Sequence, residues 1–173
     1  MRFFDLPFGK KETTYVGIRC HATGVFGYSF RNGEKEVFTI SSLVLLNPDV
    51  YMRGFNKEFV HKHYDEQMTL VPGVRRTIVD QQGKMQCYYE YVKMNEYRII
   101  TNGVVASVKV LENGWKIYQG KIHVADILRI PKMERIRFEE NGYDMEKCFL
   151  INISTKADSV LYPYILSIPM LGF

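Results

Sequence analysis

Four histidines and three cysteines in 173 residues leave few places where a metal could be held or a nucleophile activated. His61-Lys62-His63, with Asp65 and Glu66, is a cluster of metal-ligand residue types. On a strand, His61, His63 and Asp65 would share one face within reach of an ion. The surrounding sequence supplies none of the outer partners that orient such ligands, and the segment reads equally as a solvated loop or polar helix. No metal and no other cofactor is therefore expected. Cys20 and His21 are adjacent, so a strand sends them to opposite faces and they cannot pair as nucleophile and base. Glu139 and Glu140 diverge for the same reason. No G-x-S-x-G, H-E-x-x-H or Walker-type loop occurs, and the expectation is a protein without enzymatic activity.

The basic residues point elsewhere. Arg75-Arg76 precede a strand pattern, Lys109 and Lys116 flank the turn at Asn113-Gly114, and Lys132, Arg135 and Arg137 share one strand-like region. Arg135 and Arg137 project to the face opposite Ile136 and Phe138. Such a basic row suits the phosphates of a lipid headgroup or nucleic acid. With Glu134, Glu139 and Glu140 beside it, the row also suits an ordinary solvated face. Exposed aromatics are not interleaved as RNA binding requires, so no nucleic-acid partner is expected.

Composition is consistent with a binding protein and asks for no special partner. The net charge is +4, the hydrophobic share 46% and the aromatic share 14%, with basic residues scattered along the chain. Charged residues at 24% argue against disorder. Cys20, Cys87 and Cys148 are far apart and odd in number, which does not fit a secreted disulfide framework. The opening MRFFDLPFGKKE is broken by Asp5, Pro7 and Lys10 and does not read as a signal peptide, so a cytoplasmic location is expected.

The elements that must carry these residues are short strands. Val16, Ile18 and Cys20 alternate with Tyr15, Gly17 and Arg19, and the same period of two returns in Phe26, Tyr28 and Phe30 and in Met85, Cys87, Tyr89 and Tyr91. Asn32-Gly33, Asn102-Gly103 and Asn113-Gly114 are hairpin signals. Asn56 to Met68 is the least legible stretch, readable as a polar helix capped by Asn56 or as an insertion loop. In all, about 10–12 strands with a turn every 8–12 residues indicate an all-β barrel or sandwich.

The tail, DSVLYPYILSIPMLGF, carries no charge after Asp158 and shows no polar face at either period. It reads as a buried helix near 158–173, capped by Asp158 or Ser159, with Pro163 in its first turn and Pro169 ending or kinking it. A wide barrel leaves an interior that strand side chains alone fill poorly. The fold class expected is thus an antiparallel β-barrel of about 10–12 strands enclosing a hydrophobic C-terminal helix, with residues 1–173 forming a single domain.

Many meandering strands followed by one apolar helix, together with Arg76-Thr-Ile-Val-Asp80-Gln-Gln-Gly83-Lys84, resemble the tubby C-terminal-like superfamily. That group includes tubby proteins, phospholipid scramblases and LURP-one-related proteins. The hairpin is similar to the family's strand–D-x-x-G–strand element, echoed at Val110-Leu-Glu-Asn-Gly-Trp115. The ending Ile168-Pro-Met-Leu-Gly-Phe173 is similar to short prokaryotic members. The resemblance implies a twelve-stranded barrel threaded by its helix, and for tubby proteins an outer surface that binds phosphoinositide headgroups. The Pro-rich, cysteine-rich and Ca²⁺-binding segments of scramblases have no counterpart in this sequence.

The function expected is a non-enzymatic binding module for anionic lipid headgroups at a membrane surface, which would make the protein peripheral to the membrane. Arg135, Arg137, Lys132, Arg75 and Arg76 are its candidate contacts. The alternatives are a lipocalin-like carrier of a small apolar ligand and a domain that binds a protein partner.

Overall fold

In the computed structural model, the structure describes residues 12–22, 25–43, 47–61, 75–130 and 148–171. Twelve strands follow in chain order: β1 (Glu12–Ala22), β2 (Val25–Asn32), β3 (Lys35–Leu43), β4 (Asn47–Gly54), β5 (Lys57–His61), β6 (Arg75–Asp80), β7 (Met85–Lys93), β8 (Glu96–Thr101), β9 (Val104–Leu111), β10 (Gly114–Gln119), β11 (Ile122–Arg129) and β12 (Phe149–Ser154). Each strand pairs antiparallel with the next, and β12 closes on β1, giving a closed barrel. Closure leaves no edge strand among the described residues.

Two-residue turns make this neighbour-to-neighbour order. Asn102-Gly103 joins β8 to β9 with both residues at positive φ (45° and 78°), the twist-matched hairpin turn that Asn-Gly favours. Phe55-Asn56 makes the same kind of turn between β4 and β5, at φ 51° and 60°. A bulky residue is rarely tolerated there. Phe55 is held by aromatic packing on Phe38 and Tyr162, with ring centroids at 5.9 and 6.2 Å. Of the Asn56–Met68 stretch, the described part is not the start of a capped polar helix: Asn56 is a turn residue and Lys57–His61 is strand β5.

The Asp80-Gln-Gln-Gly83 turn has a clear local cause. Asp80 Oδ1 accepts from the backbone amides of Gln82 (3.0 Å) and Lys84 (2.9 Å), and Oδ2 accepts from Gln86 Nε2 (2.9 Å). One carboxylate thus satisfies the donors of a tight turn, with Gly83 taking the positive φ of 82°.

The tail enters the barrel as the one-turn 3-10 segment Ser159–Leu161 followed by helix α1 (Tyr162–Leu171). Asp158 caps the 3-10 segment, accepting from the Val160 amide at 3.1 Å. Pro163 stands in the first turn of α1. Pro169 neither ends nor breaks α1, which continues two residues beyond it. Proline at 169 removes the donor that would meet the Ile165 carbonyl, a loss confined to the last turn.

The core lies between α1 and the inward faces of the strands. Leu161, Tyr164, Ile165, Leu166, Ser167 and Ile168 are all at most 2% exposed, so α1 is enclosed on every side. It contributes to one hydrophobic cluster with Phe30, Phe38, Ile40, Phe59, Ile99 and Ile117 of the wall. A polar knot ties helix to wall. Tyr89 Oη lies 3.0 Å from the Tyr164 carbonyl oxygen and 2.7 Å from Ser167 Oγ, which donates to the same carbonyl at 2.8 Å. Tyr89 is thereby satisfied although fully buried.

Candidate anion-binding rim

An up-and-down barrel sends every second connection to the same end. One end carries the turns β2–β3, β4–β5, β6–β7, β8–β9 and β10–β11 and the passage from β12 into α1; we call it the turn rim. The other is the far rim. Lys35, Lys57, Lys84, Lys121 and Lys156 lie within or beside five of those six turn-rim connections, and all five are exposed. None of them forms an ion pair among the described residues.

Carboxylates are present at the same rim, but most are turned onto the protein. Glu36 accepts from Ser29 Oγ, Glu58 pairs with Arg53 at 2.6 Å and accepts from Gln81, Asp80 closes its own turn, and Asp158 caps the 3-10 segment. Glu34 stands at the tip of the β2–β3 turn. Five exposed lysines without ion pairs among the described residues thus stand at this rim, beside acids most of which are already engaged.

Between the β2–β3 and β4–β5 turns the rim dips into an open hollow of about 720 Å³, lined by Lys35, Glu36, Arg53, Asn56, Lys57 and Glu58 among others. Across the rim, Met85, Val105 and Ile122 are 57, 48 and 52% exposed. Met85 and Ile122 directly follow Lys84 and Lys121. Exposed apolar side chains set beside uncommitted lysines suit the interfacial region of a membrane.

The contacts singled out from sequence are not among these five lysines. Lys132, Arg135 and Arg137 lie outside the described residues, as do Glu139, Glu140, His63, Asp65, Glu66 and the second half of the Asn56–Met68 stretch. Arg75 and Arg76 open β6 near the far rim, in register with Glu90 and Tyr89. Arg76 shares its register row with the buried Tyr89 and is half-buried. Lys109 and Lys116 are direct cross-strand neighbours on the outer wall.

Burial governs the titration of the interior groups. Burial pushes the Tyr164 phenol up to about 12, with Cys87 adding to the shift and a Thr101 hydrogen bond opposing it. Burial likewise raises Tyr15 to about 12, with Tyr162 adding to it, and holds Tyr89 well above its ordinary range. Cys87, 1% exposed, is pushed up by burial and is a packing residue rather than a nucleophile. No group of three or more His, Cys, Asp or Glu residues that could hold a metal occurs among the described residues.

No helix among the described residues is long and apolar enough to cross a membrane. The walls are apolar inside, while Glu58, Arg98, Lys109 and Lys116 stand on outer faces, the reverse of a lipid-facing barrel. Comparison of the chain with protein families, curated proteins and solved structures finds no match.

Proposed function

We propose that this barrel is a binding module that docks its turn rim onto anionic lipid headgroups at a membrane surface. The observation that carries this reading is the ring of exposed, uncommitted lysines at five of six connections of one rim. Each lysine near an anionic surface contributes about 1 kcal/mol. Five together would supply about 5 kcal/mol, equivalent to binding somewhat tighter than about 1 mM. Affinity beyond that has to come from burying Met85, Val105 and Ile122, at about 1.5–3 kcal/mol for each side chain fully buried. The hollow holding Lys35 and Lys57 is the natural seat for a headgroup phosphate, with Asn56 able to donate to its oxygens. A cytoplasmic, peripheral-membrane location and a place beside the tubby-like proteins would follow from this reading. The carrier alternative is disfavoured because α1 fills the volume a ligand would need.

Co-sedimentation with vesicles of phosphatidylcholine alone, and with added phosphatidylserine, tests the proposal at low and high salt. Binding is expected only to the anionic vesicles, weakening as the Debye length shortens. Equal binding to neutral vesicles, or none to either, would overturn it.

A further inference from the structure

Beside the turn rim, the outer wall of β11 and β12 carries a hollow whose chemistry differs from that of the lysine ring. A β-bulge builds one side of it. Ile117 of β10 pairs with Ala125 and Tyr118 with His123, so Val124 is an extra residue on β11. Val124 and Ala125 are both buried, and His123 and Asp126, on either side of them, meet on the outside. His123 Nε2 lies 2.9 Å from Asp126 Oδ1 and 3.1 Å from the Ala125 carbonyl oxygen. Both neighbours are acceptors, so Nε2 carries a proton and holds the carboxylate in place. Asp126 Oδ2 has no partner among the described residues.

Asn152 of β12 stands in register between Asp126 and Thr14 of β1. It is 7% exposed. Its Oδ1 accepts from Thr14 Oγ1 at 3.0 Å, while its Nδ2 donates to no group among the described residues. A nearly buried amide with unused donors is costly, and a ligand oxygen would remove that cost. Asp126 and Asn152 line an open hollow of about 270 Å³ together with His123, Ser154, Thr155 and Lys156. Ser154 Oγ accepts from the Lys156 amide at 3.2 Å and so shapes the turn that carries this lysine. Asp126 and Lys156 bring opposite charges to one small hollow without forming an ion pair with each other.

We propose that this hollow binds a small zwitterion, a free α-amino acid, with its ammonium on Asp126 Oδ2 and its carboxylate between Lys156 Nζ and Asn152 Nδ2. Opposite charges held apart in one hollow match a ligand that carries both. The uncommitted groups are a carboxylate oxygen on one side and amide and ammonium donors on the other, so neither a simple anion nor a simple cation satisfies the set. The volume lies below the roughly 300–1,000 Å³ of sites for drug-sized ligands and suits one small molecule. This inference goes beyond the lipid-binding reading, and a test without lipid lets the two fail separately.

Amide chemical shifts of the full-length protein, titrated in the absence of lipid with the proteinogenic L-amino acids one at a time, test the assignment. At least one is expected to shift His123, Asp126, Asn152, Ser154 and Lys156 saturably. The N-acetyl form of that amino acid lacks the ammonium, and its carboxamide lacks the carboxylate. Each should bind about tenfold or more weakly. Asp126→Asn and Lys156→Gln remove one charge apiece at side chains that reach solvent, and each should weaken binding by a similar factor. Retained dispersion of the amide spectrum shows that these variants fold. No saturable shift with any amino acid, equal binding of the blocked forms, or undiminished binding by either folded variant would overturn the proposal. Shifts centred on Lys35 and Lys57 would assign the effect to a carboxylate on the rim lysines and also overturn it.

Discussion

At the scale of single residues, the interior tyrosines make the fold sensitive to alkali. Tyr15 and Tyr164 titrate near 12 when folded, and Tyr89 well above 10, because burial disfavours each phenolate. In the unfolded chain they titrate near 10. The native state therefore holds protons that the unfolded state has released. Stability is fully present below about pH 10 and falls as pH rises from there through the folded values. Spectrophotometric titration at 295 nm should show part of the 12 tyrosines ionising only together with loss of structure. Reversible ionisation of every tyrosine near pH 10 in a folded protein would contradict this. Asp80 gives a second residue-scale test. Asp80→Ala deletes the acceptor of three hydrogen bonds in the β6–β7 turn and should cost about 1–2 kcal/mol in chemical denaturation.

At the scale of elements, α1 is the core rather than an appendage. Leu166 is fully buried amid wall side chains, so Leu166→Asp places a charge in a core that holds no charged side chain among the described residues. The expected cost, about 4 kcal/mol or more, is comparable to much of the stability of a typical domain. Deleting residues 159–173 should abolish the cooperative melt followed by fluorescence of Trp115, which packs on Phe149 inside the barrel. A truncated chain with a native-like transition would contradict the central place of α1.

Much of this level was legible in the sequence. Alternation in β1, β2 and β7, Asn-Gly turns and a charge-free tail each have a direct physical cause that needs no tertiary information. Two elements were not legible. Phe55-Asn56 hides a hairpin because phenylalanine at positive φ is justified only by its packing on Phe38 and Tyr162. Pro169 reads as a terminator, yet the enclosed last turn tolerates the missing donor.

At the scale of the whole molecule, the lysine ring shows why the candidate site was harder to see than the fold. Lys35, Lys57, Lys84, Lys121 and Lys156 are far apart in sequence and look scattered. Only the up-and-down order, which returns every second connection to one end, gathers them. The signal was present as a lysine recurring beside alternate turns, but the strand count had to be settled before it could be used.

The central claim is that one end of this barrel, and not the other, meets an anionic membrane. Amide resonances of the full-length protein on phosphatidylserine-containing nanodiscs, with and without a nitroxide-labelled lipid, test it directly. The account predicts paramagnetic broadening at Gly33, Lys57, Lys84, Gly103, Lys121 and Ile122 of the turn rim, while Met94, Leu111 and Arg129 toward the far rim stay sharp. Broadening centred on the far rim, or none at either end, would contradict it.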